Sequence, residues 1–426
     1  METTVIFRTA AAILAVSAMP YMTAFADHSI TIESVKQRFP WNNKLDIRYT
    51  VTGGQDIGNG LYCKAVFTAD IGGKTYTIDG TTNLYAAANA GTHTATWTIP
   101  DGIEATNCTM SAKLIETDFP SGDDYMIVNL ATGTVTYEGM VSQTASNERY
   151  NTDAYKTSLM ALRKVPKTAN SNYPGGYRTG HANWNNQSTP TNWITQLDYY
   201  IGVFPVTQQQ YQNIRGGNPS GCKSTKTDGL TGKPNVVGHR PVETVSWQDL
   251  RGSATPDEAP TPNQSGTFFE RLNHLTKTGA SITGFDLPTE VMFEIAERAN
   301  VSTIYFYGSD TLIDDNFVCK ANANGSTVSV GFRIPNAWGL FDVSGNVYEW
   351  VLDDDSRTNI ARAPDPFTPA WGGSSTKRMT RGGGPYANPT SYGNFHASFR
   401  KMDNVPLEAN TQQNWLGFRV AYIVKE

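Results

Sequence analysis

The sequence predicts an all-β N-terminal domain followed by a loop-rich α+β C-terminal domain. Three observations point there. Between residues 27 and 140, short runs alternate apolar and polar side chains, at 29–35, 45–51, 62–67, 92–99 and 110–115. Glycine, Asn and Asp turns separate them, at 53–54, 58–60, 72–73 and 101–102. Beyond residue 155, helical apolar spacing appears between long loop stretches, in a chain carrying 38 Gly, 22 Pro and 11% aromatic residues.

Alternation with a period of two buries every second side chain on one face of a strand. Short strands at near-regular spacing, punctuated by turn residues, read as an immunoglobulin/fibronectin-like sandwich. The runs at 125–130 and 133–137 read as its last hairpin. No catalytic cluster falls in this part, so a spacing or docking role is the default reading. The stretch 141–154 is polar, without periodicity, and reads as a linker. The expected division is therefore a leader at 1–26, a β-sandwich at 27–140, the linker, and a second domain at 155–426.

At 426 residues the chain has ample room for two cored domains. A formal net charge of -5 argues against a nucleic-acid partner. The leader follows from Arg8, an apolar run from Thr9 to Met19, and a small-x-small site at Ala24-Phe25-Ala26, with Asp27 as the first mature residue. It implies a secreted or periplasmic protein. No later stretch is long and apolar enough to span a bilayer.

Four cysteines, Cys63, Cys108, Cys222 and Cys319, form no Cys-x-x-Cys pair. An even count in an exported chain suggests disulfides. The expected pairs are Cys63 with Cys108, inside the first domain, and Cys222 with Cys319. The alternative is unpaired buried thiols.

In the second domain, Tyr199 to Val206 is strand-like, and Thr207 is placed to cap a helix from Gln208 to about Ile214. Glycines 216 and 217 end that helix. Residues 253–266, rich in Pro, Asp and Ser, read as a surface insertion, and 268–277 as a helix. In the helix of 287–298, Thr289 is the N-cap. Val291, Met292, Ile295, Ala296 and Ala299 form the buried stripe. Glu290, Glu294 and Glu297 read as its solvated face.

The stretch 338–350, Trp-Gly-Leu-Phe-Asp-Val-Ser-Gly-Asn-Val-Tyr-Glu-Trp, concentrates four aromatics, two glycines and two carboxylates. Its aromatics can anchor it, and its glycines allow a tight backbone with carbonyls turned inward. Carboxylate and carbonyl oxygens on one tight loop suit a hard cation.

Six stretches, 199–220, 241–247, 287–298, 335–350, 381–384 and 416–421, run in an order that resembles the formylglycine-generating enzyme, or sulfatase-modifying factor, family. The resemblance covers about 155–426 and implies a variant of the C-type lectin fold. It also implies a calcium site at Asp342, Gly345, Val347 and Glu349; the alternative is an Asp/Glu pair that caps turns without metal. A second family calcium site near Asn322 is left open.

In the family's oxidases two cysteines after the Arg-Gly-Gly element hold copper and help O₂ convert a substrate cysteine to formylglycine. The resemblance places those positions at Ala387 and Tyr392. Soft thiolates select Cu(I), and neither side chain offers one. A related branch holds non-haem iron with histidines. The six here, His28, His93, His181, His239, His274 and His396, are scattered.

Tyr386, Tyr392, Phe395, His396, Arg400, Asn414 and Trp415 come from the segment that lines the family's active-site face. Aromatics and an arginine beside amides suit peptide or glycan recognition; ordinary loop packing is the alternative. Two functions follow. One is a divergent member binding a ligand or protein partner on a calcium-stabilised scaffold. The other is a formylglycine-generating or other oxidoreductase-type enzyme with an altered metal site.

Overall fold

The computed structural model describes residues 29–37, 44–52, 61–71, 73–78, 91–99, 108–118, 122–140, 143–181, 189–253, 255–355, 363–372, 375–388, 395–400 and 407–425. The expected leader and Tyr392 lie outside these residues. The chain divides into two units, 1–120 with 144–149 and 121–143 with 150–426.

The first unit holds six strands: β1 (Ser29–Gln37), β2 (Lys44–Thr52), β3 (Leu61–Ile71), β4 (Lys74–Thr77), β5 (Gly91–Thr98) and β6 (Cys108–Asp118). They form two antiparallel three-stranded sheets, ordered β1-β2-β5 and β4-β3-β6. The alternation has its expected consequence. Ile47, Tyr49 and Val51 of β2 are buried with Ala65, Phe67 and Ala69 of β3 in one apolar core. The Tyr49 and Phe67 rings meet edge to face at 4.8 Å.

Register excludes the first expected disulfide. In the β3–β6 pair Cys108 stands opposite Ile71, whereas Cys63 stands opposite Glu116. Strand between positions 63 and 71 covers about 26 Å, while a disulfide needs Cα atoms within about 7 Å. The second pair is corrected too: Cys222 and Cys319 are both free and buried.

In the second unit, β7 (Tyr125–Asn129) and β8 (Val135–Glu138) make the hairpin expected to close the sandwich. Instead it joins the second unit. β7 pairs with β9 (Leu159–Val165), which pairs with β12 (Tyr199–Gly202), within a six-stranded sheet; β10 (Tyr177–Thr179) and β11 (Thr191–Trp193) form a two-stranded sheet, and β16 (Leu407–Glu408) lies in a four-stranded one. Beyond β12 lie β18 (Ala421–Ile423) and β13 (Phe285–Asp286). The physical reason is the near-continuous burial of Tyr125, Met126, Ile127 and Val128. A strand buried on both faces belongs in a covered sheet, and Met126 and Val128 share a core with Leu162 and Tyr200. The expected linker is also structured, as helix α1 (Gln143–Tyr150) and a single turn at Ala154–Lys156.

Helix α2 (Gln208–Arg215) starts as anticipated. Thr207 Oγ1 accepts from Gln210 N, and Gln210 Oε1 accepts from Thr207 N, a reciprocal capping box. Gly216, at φ 80°, ends it. Helices α3 (Trp247–Arg251), α4 (Phe268–Ala280) and α5 (Glu290–Arg298) follow.

The second sheet that matters carries three of the sequence landmarks side by side. Strand β14 (Tyr348–Asp354) pairs antiparallel with β15 (Lys377–Arg381) and parallel with β17 (Leu416–Phe418). Glu349 thereby stands between Arg381 and Gly417. A side chain at Gly417 would meet Val242 O at 2.4 Å, so only glycine allows this approach. Trp247 and Trp350 lock the layer reciprocally: Trp247 Nε1 donates to Val351 O and Trp350 Nε1 to Val245 O. Among the described residues no helix is long and apolar enough to cross a membrane.

Candidate functional site

The loop before β14 has the tight backbone its glycines promise. Asp342, Gly345 and Asn346 all take positive φ, at 51°, 92° and 67°. A Cβ on Gly345 would lie 2.8 Å from both the nitrogen and the oxygen of Val318. Gly345 N donates to Gly382 O, and Val347 N donates to Gly345 O. Asp342 and Glu349 are both buried. Asp342 Oδ2 accepts from Gly331 N at 2.8 Å. Its Oδ1 lies 3.5 Å from Asn346 Nδ2, a long contact. Burial pushes both carboxyls up and Arg419 opposes it; Asp342 also raises Glu349.

Arg419 was not anticipated at this loop. Its Nε and Nη2 grip both oxygens of Glu349, at 3.1 and 3.0 Å. Its remaining donors reach the carbonyls of Gly202, Val203 and Phe341. Two carboxylates and two backbone carbonyls fit calcium in chemical kind. However, Glu349 already has an internal cation. Among the described residues no three His, Cys, Asp or Glu side chains converge to hold a metal.

Helix α5 corrects the expectation of a solvated acidic face. All nine of its residues are buried, Glu290, Glu294 and Glu297 included. Glu290 and Glu294 are covered because arginines reach them, two from distant segments and one from the helix itself. Arg400 pairs bidentately with Glu290, at 3.0 and 2.5 Å. Arg298 and Arg381 both pair with Glu294, at 2.8 and 2.7 Å. For Glu294 burial opposes ionisation, but those two arginines outweigh it and hold the carboxyl below its ordinary range. Among the described residues the Glu297 carboxylate takes one hydrogen bond, from Ser344 Oγ at 2.5 Å, and burial, opposed by Arg381, pushes it up to about 8.

The expected binding residues therefore separate. Arg400 is buried in the α5 ion pair. His396 packs edge-on against Tyr305, and burial, with His181 and Arg298 nearby, lowers it to about 4. Trp415 packs edge to face on Tyr348. Tyr386 is 37% exposed and lines a cavity of about 290 Å³ together with Asn414. Its hydroxyl accepts from Asn414 Nδ2 at 3.1 Å and donates to Gly325 O at 3.2 Å.

That cavity lies between residues 221–227, with Arg240, and residues 323–328. Its cationic members, Lys223, Lys226 and Arg240, escaped the sequence reading. The available signal was the polar, basic run Gly221-Cys-Lys-Ser-Thr-Lys226, whose partner segment lies about a hundred positions away. Glu243 holds the first wall from behind: its carboxylate accepts from Gly221 N, Cys222 N and Thr244 Oγ1. Cys222 Sγ sits 4.0 Å from Tyr386 Oη. Ala387, where the resemblance puts the first copper thiolate, packs against the apolar core, and its carbonyl accepts from Lys320 N.

Residues 158–423 match the sulfatase-modifying factor enzyme 1-like domain. The chain belongs to this FGE-sulfatase family. Its relatives include the chaperone protein LppX of Paenibacillus barcinonensis, 26% identical over 49% of this chain and 75% of that one. The formylglycine-generating enzyme of Streptomyces coelicolor is 29% identical, over 49% of this chain and 59% of its own length. The serine/threonine-protein kinase pkn1 of Chlamydia pneumoniae is 25% identical, and only 31% of it is covered. The chain thus spans less than two thirds of the last two. Among solved structures, Treponema denticola variable protein 1 aligns with a TM-score of 0.48 at 20% identity, covering 62% of this chain and 95% of that one. PvdO from Pseudomonas aeruginosa aligns with a TM-score of 0.44 at 16% identity, covering 62% and 94%.

Proposed function

We propose that this chain is a divergent FGE-sulfatase member that binds a ligand or protein partner through the face carrying Tyr386 and Asn414. The observation that carries the reading is the polar cavity beside the position where Ala387 replaces a copper thiolate. Soft thiolates are what hold Cu(I), and the methyl of Ala387 cannot. The name of the LppX relative, a chaperone, fits a protein partner. On this reading the lectin-type scaffold of the family presents the face, and the immunoglobulin/fibronectin-like sandwich spaces it. The leader at 1–26 exports the chain, and calcium at Asp342, Gly345, Val347 and Glu349 stiffens the loop before β14.

A second reading rests on Cys222, a free thiol in the cavity wall beside the Tyr386 hydroxyl. An oxidoreductase with altered chemistry would use that sulfur. Incubating the purified protein with cysteine-containing peptides, copper and O₂ separates the two. The binding reading expects no aldehyde product by mass spectrometry. Formation of formylglycine, lost in Cys222→Ser, overturns it.

A further inference from the structure

We propose that the cavity between residues 221–227 and 323–328 is an oxyanion site, taking a sulfate or phosphate group carried by the ligand. The proposal rests on the binding reading above and names the chemistry of its ligand.

The starting point is the count of charges. Among the described residues Lys223, Lys226 and Arg240 line the cavity, and no Asp or Glu does. Charged side chains of opposite sign normally accompany buried arginines, because an isolated charge loses its hydration. Among the described residues six other buried arginines obey this. Buried Arg251 meets Asp286, Arg298 and Arg381 meet Glu294, Arg333 meets Asp228, Arg400 meets Glu290 and Arg419 meets Glu349. Arg378, another buried arginine, has its guanidinium over the rings of both Trp247 and Trp371. Arg240 is 1% exposed and makes no ion pair among the described residues.

Its geometry leaves a vacancy of charge on the cavity side. Nε and Nη2 both donate to Ser224 O, which anchors one edge of the fork. Nη1 reaches only the hydroxyls of Ser326 and Thr327, at 3.3 and 3.5 Å, near the limit for hydrogen bonds. Those hydroxyls can turn to donate. A guanidinium anchored on one edge, two hydroxyls and two ammonium groups on flexible stems, that of Lys223 now 3.4 Å from the Asn218 carbonyl, form a donor set for a group with three or four oxygens. The nearby carboxylate, Glu243, is occupied behind the wall by two backbone N–H groups and a hydroxyl. About 290 Å³ leaves room for the anionic group and one attached unit.

The test uses the full-length protein and titrates sodium sulfate, sodium phosphate and sodium acetate against sodium chloride at matched ionic strength, read by calorimetry and melting temperature. The expected result is one saturable site for sulfate or phosphate, with chloride giving none. The stronger of the two identifies which ester the natural ligand carries. Lys226→Glu, on an exposed side chain, should weaken the site about tenfold or more, as reversal of a contacting charge does. It should leave the anion-free melting temperature unchanged. Arg240→Gln should abolish binding; since that residue is buried, its folding is checked by circular dichroism, and Lys223→Ala serves as the second exposed variant. Equal responses to sulfate and chloride, or sulfate binding indifferent to Lys226→Glu, overturn the proposal. A panel of paired neutral and sulfated glycans and peptides then separates it from the binding reading. Equal binding of both members of a pair, lost in Tyr386→Ala but kept in Lys226→Glu, retains a binding protein and removes the oxyanion site.

Discussion

Glu349 and Arg419 pose the sharpest question at the scale of single residues. Both are buried, and the guanidinium spends all its donors on Glu349 and three carbonyls. Removing one partner of such a pair strands the other charge, at a cost of about 3–5 kcal/mol. Glu349→Ala is therefore expected to lower the melting temperature in chelator as well as in calcium. Calcium bound to this loop would add a second effect, a rise in the wild-type melting temperature that the variant lacks. A wild-type melting curve identical in calcium and chelator would leave Arg419 as the sole cation of Glu349. The sequence could place the two carboxylates on one tight loop. It could not show that an arginine seventy positions later reaches in first.

Glu297 supports a prediction of opposite kind. Its carboxyl is raised to about 8 because burial outweighs Arg381 and Ser344. In the unfolded chain an ordinary Glu releases its proton near pH 4.3. Between that pH and about 8 the folded protein holds a proton the unfolded chain has lost, so stability falls as pH rises through this window. Glu297→Gln removes the titration. Its melting temperature should decline less between pH 5 and pH 8 than that of the wild type. A parallel decline in both proteins would show that Glu297 is ionised in the fold.

At the scale of elements, the β7–β8 hairpin shows what local pattern can and cannot say. Its strands and turn were legible, because short apolar runs and the Asn/Gly turn residues between them act on neighbours. Its sheet was not, because the same hairpin can add to either unit. Burial of Tyr125 to Val128 against β9 decides the matter. A chain beginning at residue 121 should thus retain the six-stranded sheet. One beginning at 141, the boundary the sequence suggests, loses β7 and exposes the apolar flank of β9. It is expected to aggregate or melt several degrees lower. Equal solubility and melting of the two truncations would place the hairpin with the first unit after all. Helix α5 carries the same lesson. Its cap at Thr289 and its apolar stripe were readable from spacing. The burial of its three glutamates was not, since Arg381 and Arg400 lie about a hundred positions downstream.

For the whole molecule, the family scaffold is present, and the proposed loss of the family's copper chemistry rests on one position within it. Three ordered landmarks meet in adjacent strands β14, β15 and β17, while half-buried Ala387 packs against the core where the resemblance expects a thiolate. Metal analysis of protein purified without chelator or His-tag addresses this scale. We expect copper and iron well below one equivalent per chain. Stoichiometric copper would restore an oxidase and direct attention to Cys222.

By itself the sequence determined what depends on residues near one another in the chain. The helix caps, the strand alternation and the tight loop of 338–350 are of this kind, since capping and pleating act over two to four residues. Only the tertiary structure decided which charges are neutralised and where a cavity opens. Glu349 with Arg419, Glu290 with Arg400, and the cationic cavity between 221–240 and 323–328 each join segments far apart in the chain. Electrostatics in a dry interior acts through space, and no local pattern records which distant side chain the fold will bring within 3 Å.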